Sequence, residues 1–437
     1  MSPSRSRRAV SRAVPTAVTA AILSLAIALA ACGDPPTSTS GSGKSTPSAR
    51  VAAAADARTF RATLTSPGPA ACPEGASGAE GTTPGSGALY LICVPASWNG
   101  SLVVYAHGYV QPFDPLAIHD DAVNGVKASQ VVNGLGYAFA TTSYRANGLI
   151  IFEAEKDLAD VVHEFRRLAG PVRGHTIAVG ASEGGLVVAL ATERHPGLFD
   201  GTLAACGPVG SFADQLAYLD DFRVLFDYFF PGVIPGSPIA VPDAVVEAWR
   251  LPVEAPGSLR SLVLGALAAN PAATVSLLDV AGVTLPPGAP PELVGEAVLG
   301  LLNYNVLGSG DAQRRLGGQP YDNTTRVYPA PVDNSAVPRF TADPAALHHI
   351  EARYDTDGRL RTPLVTIHNL FDPVVPYGQE APYGEKVARA RAGDLLIQVP
   401  GDSLASPYGH CNFTGAEVLE AFSTLLSRIG EPEVATR

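Results

Sequence analysis

Short apolar stretches and longer amphipathic ones take turns along the middle of the chain. Ala88 to Val94, Ser101 to Ala106 and Tyr137 to Thr142 are compact and rich in apolar, β-branched and aromatic residues, the pattern of buried strands. Trp98-Asn99-Gly100 joins the first two, and Asn-Gly is a strong hairpin signal, so these strands are expected to pair. Glu153 to Leu168 changes period: Leu158, Val161, Val162, Phe165 and Leu168 fall on one helical face. Further strands read at Gly174 to Val179, Gly201 to Cys206, Pro363 to His368 and Asp394 to Val399, with helices at Gly185 to Arg194 and Ala416 to Ile429. This alternation predicts an α/β fold, a mostly parallel sheet with helices on both faces.

The alternation stops between residues 211 and 346. There the pattern is helical and broken by Pro and Gly: Phe212 to Phe230, Pro242 to Trp249, Ser258 to Ala269 and Pro291 to Tyr304. Residues 211–346 therefore read as a helical cap inserted into a sheet domain made of 58–210 and 347–437.

The N-terminus follows other rules. Arg5, Arg7, Arg8 and Arg12 precede an apolar run from Ala17 to Ala31, too short to span a bilayer comfortably. Residues 1–31 are expected to be a signal peptide. Leu29-Ala30-Ala31-Cys32-Gly33 resembles a bacterial lipobox, which implies a lipid on Cys32 and an exported, membrane-anchored chain. The other reading is an ordinary signal peptide with an incidental cysteine. Residues 32–57, rich in Pro, Ser, Thr and Gly after Cys32, read as a flexible tether.

Of 437 residues, 46% are hydrophobic and 16% charged, enough for a large core. The formal charge is −11 with no basic block beyond the N-terminus, which argues against a nucleic-acid partner. Beyond Cys32 four cysteines remain, with three possible pairings. Cys72–Cys93 and Cys206–Cys411 are preferred. The first two are close in sequence. The second two both belong at the carboxyl edge of a parallel sheet.

The candidate chemistry lies at that edge. Gly180-Ala181-Ser182-Glu183-Gly184 stands between a strand and a helix, the context that makes G-x-S-x-G a nucleophile elbow rather than a glycine-rich turn. A serine hydroxyl needs a base, and the base needs an acid to fix its tautomer. Asp372 leaves the strand around Val365 in a proline-stiffened loop; Asp402 is the second choice. His410, in Tyr408-Gly409-His410-Cys411, is the only histidine downstream of Asp372. His368, on a strand, is expected to pack. Backbone N–H groups of Glu183 and of Tyr109, after His107-Gly108, are the expected oxyanion donors.

These motifs in this order resemble the α/β-hydrolase superfamily over roughly Tyr90 to Ile429. The resemblance implies an acyl-enzyme with Ser182 as nucleophile, His410 as general acid and base and Asp372 as its orienting partner, and no metal or organic cofactor. The Tyr-Gly-His-Cys ending and large cap are similar to secreted tannase and feruloyl-esterase-like enzymes. In those a cysteine precedes the nucleophile and bonds the one after the histidine; here that place holds Ala181, which leaves Cys411 to Cys206.

Other residues are expected to contribute less. Glu183 either binds a substrate amine or anchors a loop, the second preferred. Tyr144 and Asn147 follow a central strand and are candidate substrate contacts; the competing reading is turn formation. Phe226 belongs to an aromatic stripe that is core unless one face opens to a pocket. No metal-ligand spacing such as H-E-x-x-H appears. The resulting expectation is a serine hydrolase of carboxylic esters. Its rivals are an exported aminopeptidase or amidase with the same machinery, and a non-catalytic ligand-binding lipoprotein.

Overall fold

The computed structural model describes residues 71–431 except 124, 402 and 403. The expected signal peptide, Cys32, the tether and Asp402 lie outside the described residues.

Eight strands form one sheet: β1 (Ser77–Thr82), β2 (Leu89–Val94), β3 (Leu102–Ala106), β4 (Ala138–Thr142), β5 (Thr176–Ala181), β6 (Gly201–Ala205), β7 (Leu364–Ile367) and β8 (Leu396–Val399). Their order is β1-β2-β4-β3-β5-β6-β7-β8. Pairing is antiparallel for β1–β2 and β2–β4 and parallel for the rest. The central strands are mostly apolar and buried because helices cover both faces. Side chains alternate between those faces as the pleat requires. Val104, Ala140 and Ala178 face helices α1 (Ile151–Ala169), α2 (Glu183–Arg194) and α5 (Glu380–Arg389). Val103, Ile177, Leu203 and Val365 face Phe422, Leu425 and Leu426 of α6 (Gly415–Ile429). A Thr414–Glu417 capping box opens α6 and Gly430, at φ 77°, ends it.

The expected hairpin between β2 and β3 does not form. Asn99-Gly100 does turn the chain: Ser101 N–H donates to Asn99 Oδ1 at 2.9 Å, and Gly100 has φ 100°. Both edges of β3 are taken by parallel neighbours, β4 and β5. β2 instead pairs with β4, and its hairpin partner is β1, through the turn Thr83–Ala88.

Between β6 and β7 the chain builds the cap. Helices α3 (Phe212–Phe229) and α4 (Pro291–Asn303), with Asp243–Arg250, Leu259–Ala269, Pro271–Ala281 and Ser309–Leu316, surround a core of their own that includes Phe222, Trp249, Val263, Leu277 and Leu301. Phe226 belongs to it, fully buried and stacked on Phe230 at 5.2 Å. Helix α4 does not stop at Tyr304. It runs into a π-helical turn, Tyr304–Gly308, before Ser309–Leu316 begins.

Two disulfides form with the preferred pairing, Cys72–Cys93 and Cys206–Cys411, with Cα separations of 5.5 and 5.4 Å.

Candidate active site

Ser182 occupies the sharp turn from β5 into α2 with φ 58° and ψ −124°. Such a conformation costs a non-glycine residue roughly 1–3 kcal/mol and survives because its surroundings fix it. The neighbouring glycines make it possible. A Cβ on Gly180 would collide with Gly184 O, and one on Gly184 with the carbonyl oxygens of Ala106 and His107. Ser182 N–H is held by Ala205 O on β6 at 2.9 Å. The end of β3 also reaches the serine: a Cβ on Gly108 would lie 3.1 Å from Ser182 Cβ. Tyr109 comes directly after it. Glu183 opens α2, so its N–H has no intrahelical acceptor.

Ser182, His410 and Asp372 form one hydrogen-bonded chain. His410 Nε2 is 2.8 Å from Ser182 Oγ, and Nδ1 is 2.7 Å from Asp372 Oδ2. The carboxylate can only accept, so Nδ1 carries the proton and Nε2 is left to receive one from the hydroxyl. Asp372 is buried, and its Oδ1 accepts Val374 N–H at 2.8 Å and Val375 N–H at 3.0 Å. Burial alone would raise its pKa. The charge of His410, with the hydrogen bonds and charge of His368 and His410, outweighs burial and holds it below the usual value.

The loop carrying His410 is tied down on two sides. Cys411 is bonded to Cys206, the residue after β6. Asn369, fully buried after β7, donates through Nδ2 to Ser406 O at 2.8 Å and Asn412 O at 2.9 Å, and accepts Asn412 N–H at 2.9 Å. Phe371 N–H adds a bond to Pro407 O at 2.7 Å. Asn369 is not legible from the sequence, where it is one more asparagine beside a loop.

Ser182 opens into a pocket between sheet and cap, a cavity of about 90 Å³. Leu149, Leu216, Leu219, Ile239, Val374 and Val375 make much of its wall. Two acids border it. Glu183 is buried and accepts a hydrogen bond from Ile150 N–H; burial pushes its pKa up to about 8 against the nearby charge of Arg315. Asp220 accepts from Asn305 Nδ2 at 2.7 Å, and burial pushes it up to about 7. The π-helical turn brings Tyr304, Asn305 and Gly308 to the same pocket, and such turns recur at functional sites.

Three expected substrate contacts lie elsewhere. Tyr144, at φ 55°, turns inward; it is fully buried and donates to His107 O at 3.1 Å. Asn147 is buried, donates to Asp114 O at 2.8 Å, and its carbonyl accepts from Arg315 at 2.9 Å. Both are spent holding the turns after β4. Phe226 is packed in the cap core and does not line the pocket. Among the described residues, the compact His/Cys/Asp/Glu group is Cys206, His410 and Cys411. Its two sulfurs are bonded to each other and offer no thiolate to a metal.

The strand order, the cap between β6 and β7 and the strained serine turn together define an α/β-hydrolase fold. No protein-family model and no curated protein matches this chain. Solved structures that superpose on it include feruloyl esterase B from Aspergillus oryzae, at 15% identity and TM-score 0.45, covering 78% of this chain and 74% of the esterase. An esterase from Pyrococcus furiosus superposes at 11% identity and TM-score 0.40, covering 81% of this chain and 91% of its own. The acylaminoacyl peptidase of Pyrococcus horikoshii does so at 13% identity and TM-score 0.38, covering 83% of this chain. The match takes in only 43% of the peptidase.

Proposed function

We propose that this chain is a serine hydrolase that cleaves carboxylic esters through an acyl-enzyme. The observation that carries the reading is the hydrogen-bonded sequence Ser182–His410–Asp372 at the mouth of an apolar pocket, with the serine on a strained elbow. His410 Nε2 takes the hydroxyl proton as Ser182 Oγ bonds to the ester carbonyl carbon. The N–H groups of Tyr109 and Glu183 receive the oxyanion. The tetrahedral species collapses, the C–O bond to the alcohol breaks, and the alcohol leaves with the proton from His410. Water repeats the sequence on the acyl-serine and frees the acid. None of these steps asks for a metal or organic cofactor.

Esters are favoured over peptides by Glu183. A peptidase that reads a free amine needs an ionised acid beside the serine. Glu183 is buried and already accepts Ile150 N–H, and burial pushes its pKa up to about 8. An amine would have to displace that hydrogen bond to use its carboxyl. The leader and Cys32 further suggest an exported protein held at the membrane by a lipid on that cysteine.

The test is hydrolysis of p-nitrophenyl esters of increasing acyl length, a feruloyl or galloyl ester and an aminoacyl p-nitroanilide, with Ser182→Ala alongside. Ester turnover should fall by roughly 10⁴-fold or more in the variant. Turnover of the anilide alone would move the protein to the amidases. Ligand binding without serine-dependent turnover would make it a binding protein. The same assay on membrane and soluble fractions tests the anchor: Cys32→Ala should release the activity, and wild-type activity already soluble would remove the lipid.

A further inference from the structure

A second histidine stands behind Asp372. His368, just past β7, is wholly buried. Its Nε2 lies 2.9 Å from Val375 O and 3.4 Å from Asp372 Oδ2; its Nδ1 lies 3.2 Å from Glu380 Oε1. A carbonyl oxygen only accepts, so Nε2 carries a proton. The other oxygen of Glu380 takes the Thr366 hydroxyl and the Gln398 amide, each at 2.6 Å. That is the environment of an ionised carboxylate, which also only accepts, so Nδ1 carries a proton as well.

We propose that His368 is a buried imidazolium that acts as a positioning residue, keeping Asp372 ionised and aimed at His410. The inference rests on the hydrolase reading of the site. Two carboxylates flanking one buried ring resist ionising together unless a cation lies between them. His368 is that cation. Among the described residues, the other groups near it add no compensating charge. Tyr377 of the turn Tyr377–Gln379 meets it edge-on at 5.8 Å. Thr366 of β7 and Gln398 of β8 are neutral. The phenols nearest Asp372, those of Tyr218, Tyr304 and Tyr408, are all pushed up by burial and keep their protons. His410 lies across Asp372.

Burial by itself would lower the pKa of His368. The hydrogen bonds and charges of Asp372 and Glu380 reverse that and bring it up to about 9. The cation is therefore present at neutral pH and is lost as the pH rises through about 9.

The first experiment is NMR of ¹⁵N-histidine-labelled protein at pH 7. Both ring nitrogens of His368 should be protonated, and a neutral tautomer overturns the proposal whatever the enzyme's activity. Kinetics then test the role. His368→Gln should lower kcat by about ten- to a hundredfold, the loss expected when one buried charge beside Asp372 is removed, with KM little changed. It should also move the acid limb of the kcat/KM profile to higher pH, because protonating the His410–Asp372 pair no longer meets a fixed positive charge. Glu380→Gln should move the alkaline limb to lower pH. Activity that falls while both limbs stay in place means His368 only packs, and also overturns the proposal. If His368→Gln does not fold, Glu380→Gln and the NMR measurement still decide. A wild-type protein with no ester turnover sinks the hydrolase reading instead and leaves the charge of His368 to be read by NMR.

Discussion

The pocket has two walls, and they are held by different forces. The sheet edge carries Ser182, Asp372 and His410 on a frame of backbone hydrogen bonds, a disulfide and buried asparagine and histidine side chains. The cap adds Leu219 and Ile239 to the apolar wall from a hydrophobic core of its own, pinned by a few buried polar hubs. Arg223 is one: fully buried, it donates to Asp227 Oδ1 at 2.9 Å and Ile234 O at 3.1 Å. Directional bonds fix atoms to fractions of an ångström. Apolar packing fixes volume and shape and tolerates substitution of similar size. Placement of reacting groups and shape of the pocket are therefore separable, and a change in one wall should leave the other's property nearly intact.

The strongest way to break this contrast is at the sheet edge. Asn369→Ala removes three hydrogen bonds to the His410 loop while creating little new space. We expect kcat on short esters to fall by roughly tenfold to a thousandfold, because displacement of a reacting group by about 1 Å can cost a hundredfold. A kcat within about twofold of wild type would show that the disulfide and the backbone bonds of Phe371 suffice to position the loop. A smaller and more selective effect is expected from the cap. Leu216→Trp on α3 narrows the pocket, so long-chain esters should lose roughly ten- to two-hundredfold in kcat/KM while short ones keep theirs. Equal loss across the acyl series would mean that the walls are coupled.

A third effect falls on stability rather than on rate. Asp220 and Glu183 both hold protons in the folded state, up to about pH 7 and about pH 8, that the unfolded chain releases near its ordinary carboxyl pKa. The folded state binds the extra proton, so stability falls as pH rises across that window. Asp220→Asn keeps an acceptor for Asn305 and should flatten its part of the decline between about pH 4 and 7. Thermal melts across that range check it, and an unchanged slope would place Asp220 in contact with water.

The legible part of this molecule is the part written in local pattern. Strand, G-x-S-x-G and helix lie side by side in the chain, so the elbow is readable without its dihedrals. Asp372 and His410 stand out because each comes after a strand, and parallel strands deliver the residues beyond their carboxyl ends to one edge. The failures share a cause. Asn99-Gly100 carries the turn but not the choice of partner, which depends on β4 and β5 claiming both sides of β3. Tyr144 stands at a strand end yet turns inward. Asn369, His368 and Asn305 draw their roles from partners 7 to 85 positions away, and no local spacing marks them.

The bond between Cys206 and Cys411 spans 205 positions. Everything between them, the whole cap and Asp372 included, is thus a closed covalent ring. A protease that cuts the cap once converts the ring into a bridged pair of pieces and releases nothing. Ser182 and His410 would then sit on separate polypeptides still joined by sulfur beside the serine. A nicked molecule would look whole on a non-reducing gel and divide in two once reduced.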